Sequence, residues 1–352
     1  MAVEPMDGDR ALMDQYALPW IEANEDRSSD ADDHLRGYRS SLEGDGADAT
    51  KAVERLVSSG RGEAVKALGE HWSRVKACFG QTTRAALDIT SEIQACGDTI
   101  VIGKHRAQDI VSYLRNMNPD IGTATPDAKL QRHIDVARDD LESNVTTTLG
   151  DVRDGANRAR STADVTALKT VPTTLAGLLG RAIGGDLGGN PGNGIDGGIG
   201  GGIGNGIGGG IGSGIGGGIG NGIGGGIGAG TGVAGAGSPF SGTNASSWSI
   251  FVDHDEHKRA ADGLAKAAEH IRGETTTALA RALYDLDALA AGGSVGSAIA
   301  AEYTPLVNDL DLATRALADH LDGPLRDVVR TISTDQQDTD DDNRGRFDFW
   351  KN

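Results

Sequence analysis

The groups best suited to chemistry in this chain are eight histidines, His34, His71, His105, His133, His254, His257, His270 and His320, and two cysteines, Cys78 and Cys96. An imidazole moves protons or ligates a metal near neutral pH, and a thiolate is a nucleophile. Only the run His254-Asp255-Glu256-His257 brings several such groups together. It reads as the solvated, acid-capped start of a helix, because a zinc site needs further ligands at a recognisable spacing. The glycine-rich stretch lacks the Lys-Ser/Thr ending of a phosphate loop, and no Gly-x-Ser-x-Gly elbow is present. The carboxylates are scattered over helix exteriors. No catalytic residue, cofactor or metal site is expected, and the reading is of a non-enzymatic interaction protein.

Both cysteines fall on one predicted helix, roughly 27 Å apart, so they cannot bond to each other. Cys96 reads as a small buried hydrophobe. Cys78 lies one step off the apolar stripe, where partial exposure is expected and a bond between chains is the alternative to simple packing.

That helix organises the chain. Val65, Leu68, Trp72, Val75, Phe79, Thr82, Ala86, Ile89, Ile93, Cys96, Ile100, Gly103, Ala107, Ile110, Leu114 and Met117 recur in steps of three and four. This is the seam of a helix that packs against other helices. No proline interrupts it before Pro119, so it would be on the order of 80 Å long. Neighbouring helices must cover its stripe lengthwise.

The fold class expected is all-α, with two long antiparallel helical hairpins joined by a disordered glycine-rich linker. Residues 1–26 form an arm that docks Trp20. Residues 27–165 form the first hairpin with an extra helix. Ala31, Leu35, Tyr38, Leu42, Ala49 and Leu56 mark its first arm, which has a weak point at Gly44-Asp45-Gly46. Thr125-Pro126-Asp127 restarts the chain for the extra helix, with Thr125 as the cap, and this helix folds back on the far half of the long one. Residues 166–247 read as linker, preceded or opened by a short helix within 162–183. Within it Ile195 to Ile227 places Ile at every fourth position. Self-association through those Ile, or a membrane-seeking glycine zipper, is the sharper reading, and the entropy cost of ordering so much glycine opposes both.

Residues 248–334 form the second hairpin, lined by Leu286 and Leu289, then Val295, Ile299, Tyr303, Leu306 and Leu310 after the turn at Gly292-Gly293-Ser294. Pro305 should kink its second arm and Gly323-Pro324 should break it. Residues 335–352 form an acidic disordered tail ending in Phe347-Asp348-Phe349-Trp350, an aromatic cluster that reads as a sticky end or a docking motif. The interaction seam is assigned to Val65, Leu68, Trp72, Val75, Phe79, Ile89, Ile93, Leu286, Leu289, Ile299, Tyr303, Leu306 and Leu310. A two-helix hairpin leaves its stripe half covered, so each should pair with a partner hairpin, either within the chain as a four-helix bundle, in another copy, or in another protein.

Aromatics make up 4 % of the chain and glycine supplies 54 residues, which leaves a core of Ala, Leu, Ile and Val. The formal net charge of −18 would repel a nucleic-acid backbone. Met1 to Arg10 has neither a basic start nor an apolar run, so no Sec-type signal is expected, and no stretch of about twenty apolar residues suggests a transmembrane segment.

The segment Ser59-Gly60-Arg61-Gly62-Glu63-Ala64-Val65-Lys66-Ala67-Leu68-Gly69-Glu70-His71-Trp72 resembles the turn and second-helix start of the Trp-x-Gly helical hairpins handled by type VII secretion systems of actinobacteria. Gly292-Gly293-Ser294-Val295-Gly296-Ser297-Ala298-Ile299-Ala300-Ala301-Glu302-Tyr303 is similar to the same junction in a related branch. Ser58 stands where that family has its turn tryptophan, and four residues after Tyr16, Tyr38, Tyr113, Tyr284 and Tyr303 come Trp20, Leu42, Met117, Ala288 and Val307 instead of the acid of the export signal. The resemblance implies a secreted or envelope protein exported by a non-Sec route through a secretion ATPase, with the signal carried by a partner hairpin, or a companion of secreted cargo inside the cell. An intracellular scaffolding coiled coil is the alternative, and an enzyme with a site assembled across the bundle is the third class.

Overall fold

The computed structural model describes residues 3–60, 63–122, 126–184 and 254–334. They form helices α1 (Asp7–Tyr16), α2 (Glu25–Ser59), α3 (Glu63–Met117), α4 (Ala128–Ser161), α5 (Ala163–Leu168), α6 (Val171–Gly184), α7 (His254–His270), α8 (Thr276–Ala290) and α9 (Gly293–His320). Short π-helical turns, Ile271–Thr275 and Leu321–Leu325, join α7 to α8 and extend α9 into further helix over 326–334. The described residues contain no strand. The fold is therefore all-α, and two of its units are the hairpins α2–α3 and α7/α8–α9. The aromatic tail and the Ile repeat lie outside the described residues.

Local chemistry sets the helix starts. The Asn24 side chain accepts from the Asp26 N–H, and Glu25 and Asp26 place negative charge in the first turn of α2. At α4 the cap is Asp127 rather than Thr125; it accepts from the N–H groups of Lys129 and Leu130, which hold its carboxyl below the usual range. Gly293 turns the chain from α8 into α9 at φ +68°, and a β-carbon at Gly296 would lie 2.0 Å from the Leu289 carbonyl oxygen.

The two hairpins pack on each other within one chain. Tyr38 on α2 donates to Thr314 on α9 at 2.6 Å, since the Thr314 hydroxyl proton is committed to the Leu310 carbonyl. Tyr303 on α9 is fully buried, accepts from the Cys96 thiol on α3 at 3.2 Å, and has its hydroxyl 2.9 Å from where a β-carbon on Gly155 of α4 would fall. One large core thus contains residues of α2, α3, α4, α5, α6, α7, α8 and α9. Of the pairings open from sequence, this is the intramolecular one.

Helix α2 continues through Gly44-Asp45-Gly46 as expected, since tertiary contacts outweigh the glycine penalty there. The buried Asp45 accepts from Thr275 Oγ1 at 2.7 Å, and the missing side chain of Gly46 admits the Phe79 ring. Residues 166–184 are not linker: they finish α5 and form α6, whose Val171, Leu175 and Leu178 are buried in the core. Pro305 lies inside α9, and one turn before it the Arg160 guanidinium donates to the Glu302 carbonyl at 2.6 Å. Gly323-Pro324 produces a π-helical turn instead of a break. Arg272 clamps that turn by reaching Asp319 at 2.9 Å and Asp322 at 2.8 Å. Cys78 is buried, not partly exposed, and burial pushes its thiol pKa up.

His71 on α3 and His320 on α9 stack, with ring centroids 5.0 Å apart and their Nε2 atoms 2.8 Å apart. One nitrogen must donate and the other accept, so the accepting ring is neutral, and burial favours the neutral form of both rings. Burial lowers His320 to about 4 and also lowers His71, whose neighbour Arg74 adds to the effect. The folded value of His320 lies below its unfolded one of about 6.5, so the unfolded chain binds protons more tightly. The contribution of the pair is full above about pH 6.5 and is lost as the pH falls towards 4, by about 3 kcal/mol. Urea unfolding across that range should show the loss in the wild type, and His320→Gln should remove this part of the slope; parallel profiles would contradict the buried neutral pair.

Candidate interaction surface

All thirteen seam residues assigned from sequence are buried: Val65, Leu68, Trp72, Val75, Phe79, Ile89, Ile93, Leu286, Leu289, Ile299, Tyr303, Leu306 and Leu310. Twelve of them meet in the large core and Val65 is buried near the start of α3. The indole of Trp72 tilts at 50° to the ring of Phe79 with centroids 6.5 Å apart. These side chains are engaged by their own chain and present no free seam to an outside hairpin. An outside partner must use other surface.

The end of α3 and the start of α4 offer it. Beyond Lys104 the long helix leaves the large core and enters a smaller one, in which Ala107, Val111 and Leu114 meet Leu130, Ile134, Ala137 and Leu141 of α4 and Leu12 and Met13 of α1. The N-terminal arm is tied down on one side of this three-helix tip. Arg115 pairs with the buried Asp9, Gln108 donates to the Glu4 carbonyl at 2.9 Å, Tyr16 donates to the Ile121 carbonyl at 2.7 Å, and Trp20 packs against the core as expected.

On the other side α3 and α4 frame a groove of about 400 Å³, lined by Asp109, Ile110, Tyr113, Leu114, Met117, His133, Val136, Ala137 and Asp140. Tyr113 is 67 % exposed, Val136 60 % and Met117 51 %. They are three of the eight large apolar side chains that stand exposed among the described residues, gathered in one place. The groove has an apolar floor and two carboxylates on its rim. Neither Asp109 nor Asp140 is within ion-pair distance of a cation among the described residues.

Met117 is a correction, since its place in the seam predicts burial. Over the last turns Val111 is buried where the seam places Ile110, which is only partly buried, Leu114 stays buried, and Met117 is left exposed. A true helical repeat of 3.6 drifts by about 20° for every seven residues against a strict heptad seam, so a straight stripe cannot face one neighbour over this length. Tyr113 and Val136 were missed because each lies one position before a seam residue, Leu114 and Ala137. An apolar residue directly beside the seam is the signal that widens a stripe beyond what one neighbour covers.

A larger hollow of about 820 Å³ lies between α2 and α7, but small residues such as Gly37, Gly44, Ala52 and Gly263 create it. The histidine that lines it, His270, has a structural role. Burial pulls the His270 imidazole down, and the carboxylates of Asp45 at 2.6 Å and Glu274 at 3.0 Å outweigh that and leave its pKa above the ordinary value. Held between two acids, His270 braces α7 against α2, and its favoured protonated form is poorly disposed to act as a base. His257, read as part of a solvated helix start, is buried. Among the described residues no group of three or more His, Cys, Asp or Glu could hold a metal ion.

Comparison of the chain with family models, with curated proteins and with solved structures gives no match.

The exposure pattern separates the groove's rim from its floor. Tyr113→Ser should change stability by no more than about 0.5 kcal/mol, as for surface positions generally. Leu114→Ala, one residue on, should destabilise by about 2 to 5 kcal/mol. Chemical denaturation of the two variants checks the contrast, and similar losses for both would place Tyr113 inside a packed core.

Proposed function

We propose that the protein is a non-enzymatic interaction protein of the type VII secretion kind, a substrate or a companion of one, with a secreted or envelope destination reached by a non-Sec route. The observation that carries the interaction reading is the groove at the α3–α4 tip, where exposed Tyr113, Met117 and Val136 surround an apolar floor while the seams of both hairpins are occupied internally. Exposed large apolar side chains gathered around one groove, rather than scattered singly, favour a binding role. The secretion reading rests on the residues at the two hairpin turns that resemble the Trp-x-Gly family. No helix among the described residues is long and apolar enough to cross a membrane. The net charge of −18 argues against a nucleic-acid partner.

The test is the location of the protein in cells with and without a functional type VII secretion ATPase. Appearance in the culture medium or envelope only when that ATPase is intact is the expected result. Retention in the cytoplasm under both conditions would replace this reading with that of an intracellular scaffold.

A further inference from the structure

The groove's chemistry asks for an occupant with an apolar, preferably aromatic, centre and cationic flanks. The floor is aliphatic, the walls are Tyr113, Met117 and Val136, and the rim carries the unpaired carboxylates of Asp109 and Asp140. The chain contains one segment of that composition: Asn343-Arg344-Gly345-Arg346-Phe347-Asp348-Phe349-Trp350-Lys351-Asn352, three aromatics bracketed by Arg344, Arg346 and Lys351, whose three positive charges outnumber the single carboxylate of Asp348. The Ile-bearing segment is a poorer candidate, since it has no charged residue between Asp196 and Asp253. We propose that the Phe347–Trp350 segment of one copy docks in the α3–α4 groove of another copy. This deepens the reading of the groove as an interaction surface and rests on it.

Geometry dictates that the docking is between copies. The start of α9 lies against Ala23, beside the Glu25 and Lys104 end of α2, while its far end stacks His320 on His71. Helix α9 therefore runs away from the groove, and the helix over 326–334 carries the chain further still. From His71 to Tyr113 helix α3 rises on the order of 60 Å. Thirteen extended residues from Thr334 to Phe347 span at most roughly 45 Å. A tail cannot reach the groove of its own chain, but it can reach that of a neighbour. Such a contact is heterologous, with different surfaces on the two sides, so it either closes into a ring or extends into a chain of copies. The overall negative charge opposes close approach, but it is screened beyond about 10 Å at 0.1 M salt, whereas the rim contacts are local.

The experiment uses the full chain and static light scattering over a range of concentrations, with a fluorescent peptide of residues 343–352 as the second probe. The wild type should gain mass with concentration, and the peptide should bind it and suppress the gain. Val136→Glu, which alters only the groove, should weaken peptide binding at least about tenfold and abolish the mass gain. The pair Phe349→Ala and Trp350→Ala, which alters only the tail, should abolish the gain but leave peptide binding intact. Mixing the groove variant with the tail variant should restore a single heterodimer that grows no further. Leu312→Glu, at an exposed apolar position elsewhere, should change nothing. A wild type that stays monomeric and ignores the peptide, or association that survives Val136→Glu, would overturn the proposal. Neither result bears on export, which is read separately from the culture medium.

Discussion

The apolar stripe of α3 runs from Val65 to Leu114, and no neighbour is long enough to cover it alone. That single requirement accounts for most of the architecture. Helix α2 covers it in antiparallel fashion from the start of α3 to Lys104, α4 folds back over the second half, and α9 with α5 closes a third side of the middle. Tyr303 fills the junction of α3, α4 and α9, and it fits because Gly155 has no side chain to meet its hydroxyl. Past Lys104 only α4 and the small α1 remain, and there the cover runs out. The exposed groove is thus a consequence of the same length that organises the core.

Buried polar pairs fix the register of this cover more than they stabilise it. Lys104 and Glu25 are both buried and 2.5 Å apart, and Glu25 also accepts from the Val3 N–H. Desolvating two charges offsets most of their attraction, but shifting one helix along the other would leave a buried charge unpaired, which costs about 3 to 5 kcal/mol. Asp9 with Arg115 at the tip, and Asp45 with Thr275 and His270 in the body, impose the same penalty on sliding. A stripe dominated by Ala, Ile and Leu is tolerant of such slips, so these pairs supply the discrimination that apolar packing lacks.

The helices and their buried faces were legible because period 3.6 is written directly in the apolar residues, and all thirteen assigned seam residues are buried. The pairing was not, since a half-covered stripe is equally satisfied by its own chain or by another. The choice depends on contacts such as Tyr38 with Thr314, 276 residues apart in sequence, which leave no periodic trace. Gly323-Pro324 misled for a related reason: local propensity favours a break, and tertiary contacts such as the Arg272 clamp on Asp319 and Asp322 decide the outcome. Residues 166–184 look weakly apolar beside a glycine-rich stretch, yet Val165, Leu168, Val171, Leu175 and Leu178 retain the helical spacing that buries them. The groove was hidden by the assumption that the seam runs straight to Met117.

The central claim is that the hairpins α2–α3 and α7/α8–α9 share one core and stand or fall together. Hydrogen exchange followed by mass spectrometry under mild denaturant tests it most directly. The account predicts that the peptides around Ile89–Ile100 on α3 and Ile299–Leu310 on α9 exchange in the slowest class and become exposed in the same cooperative step. Loss of protection in Ile299–Leu310 at markedly lower denaturant than in Ile89–Ile100 would show two independent modules and contradict the account.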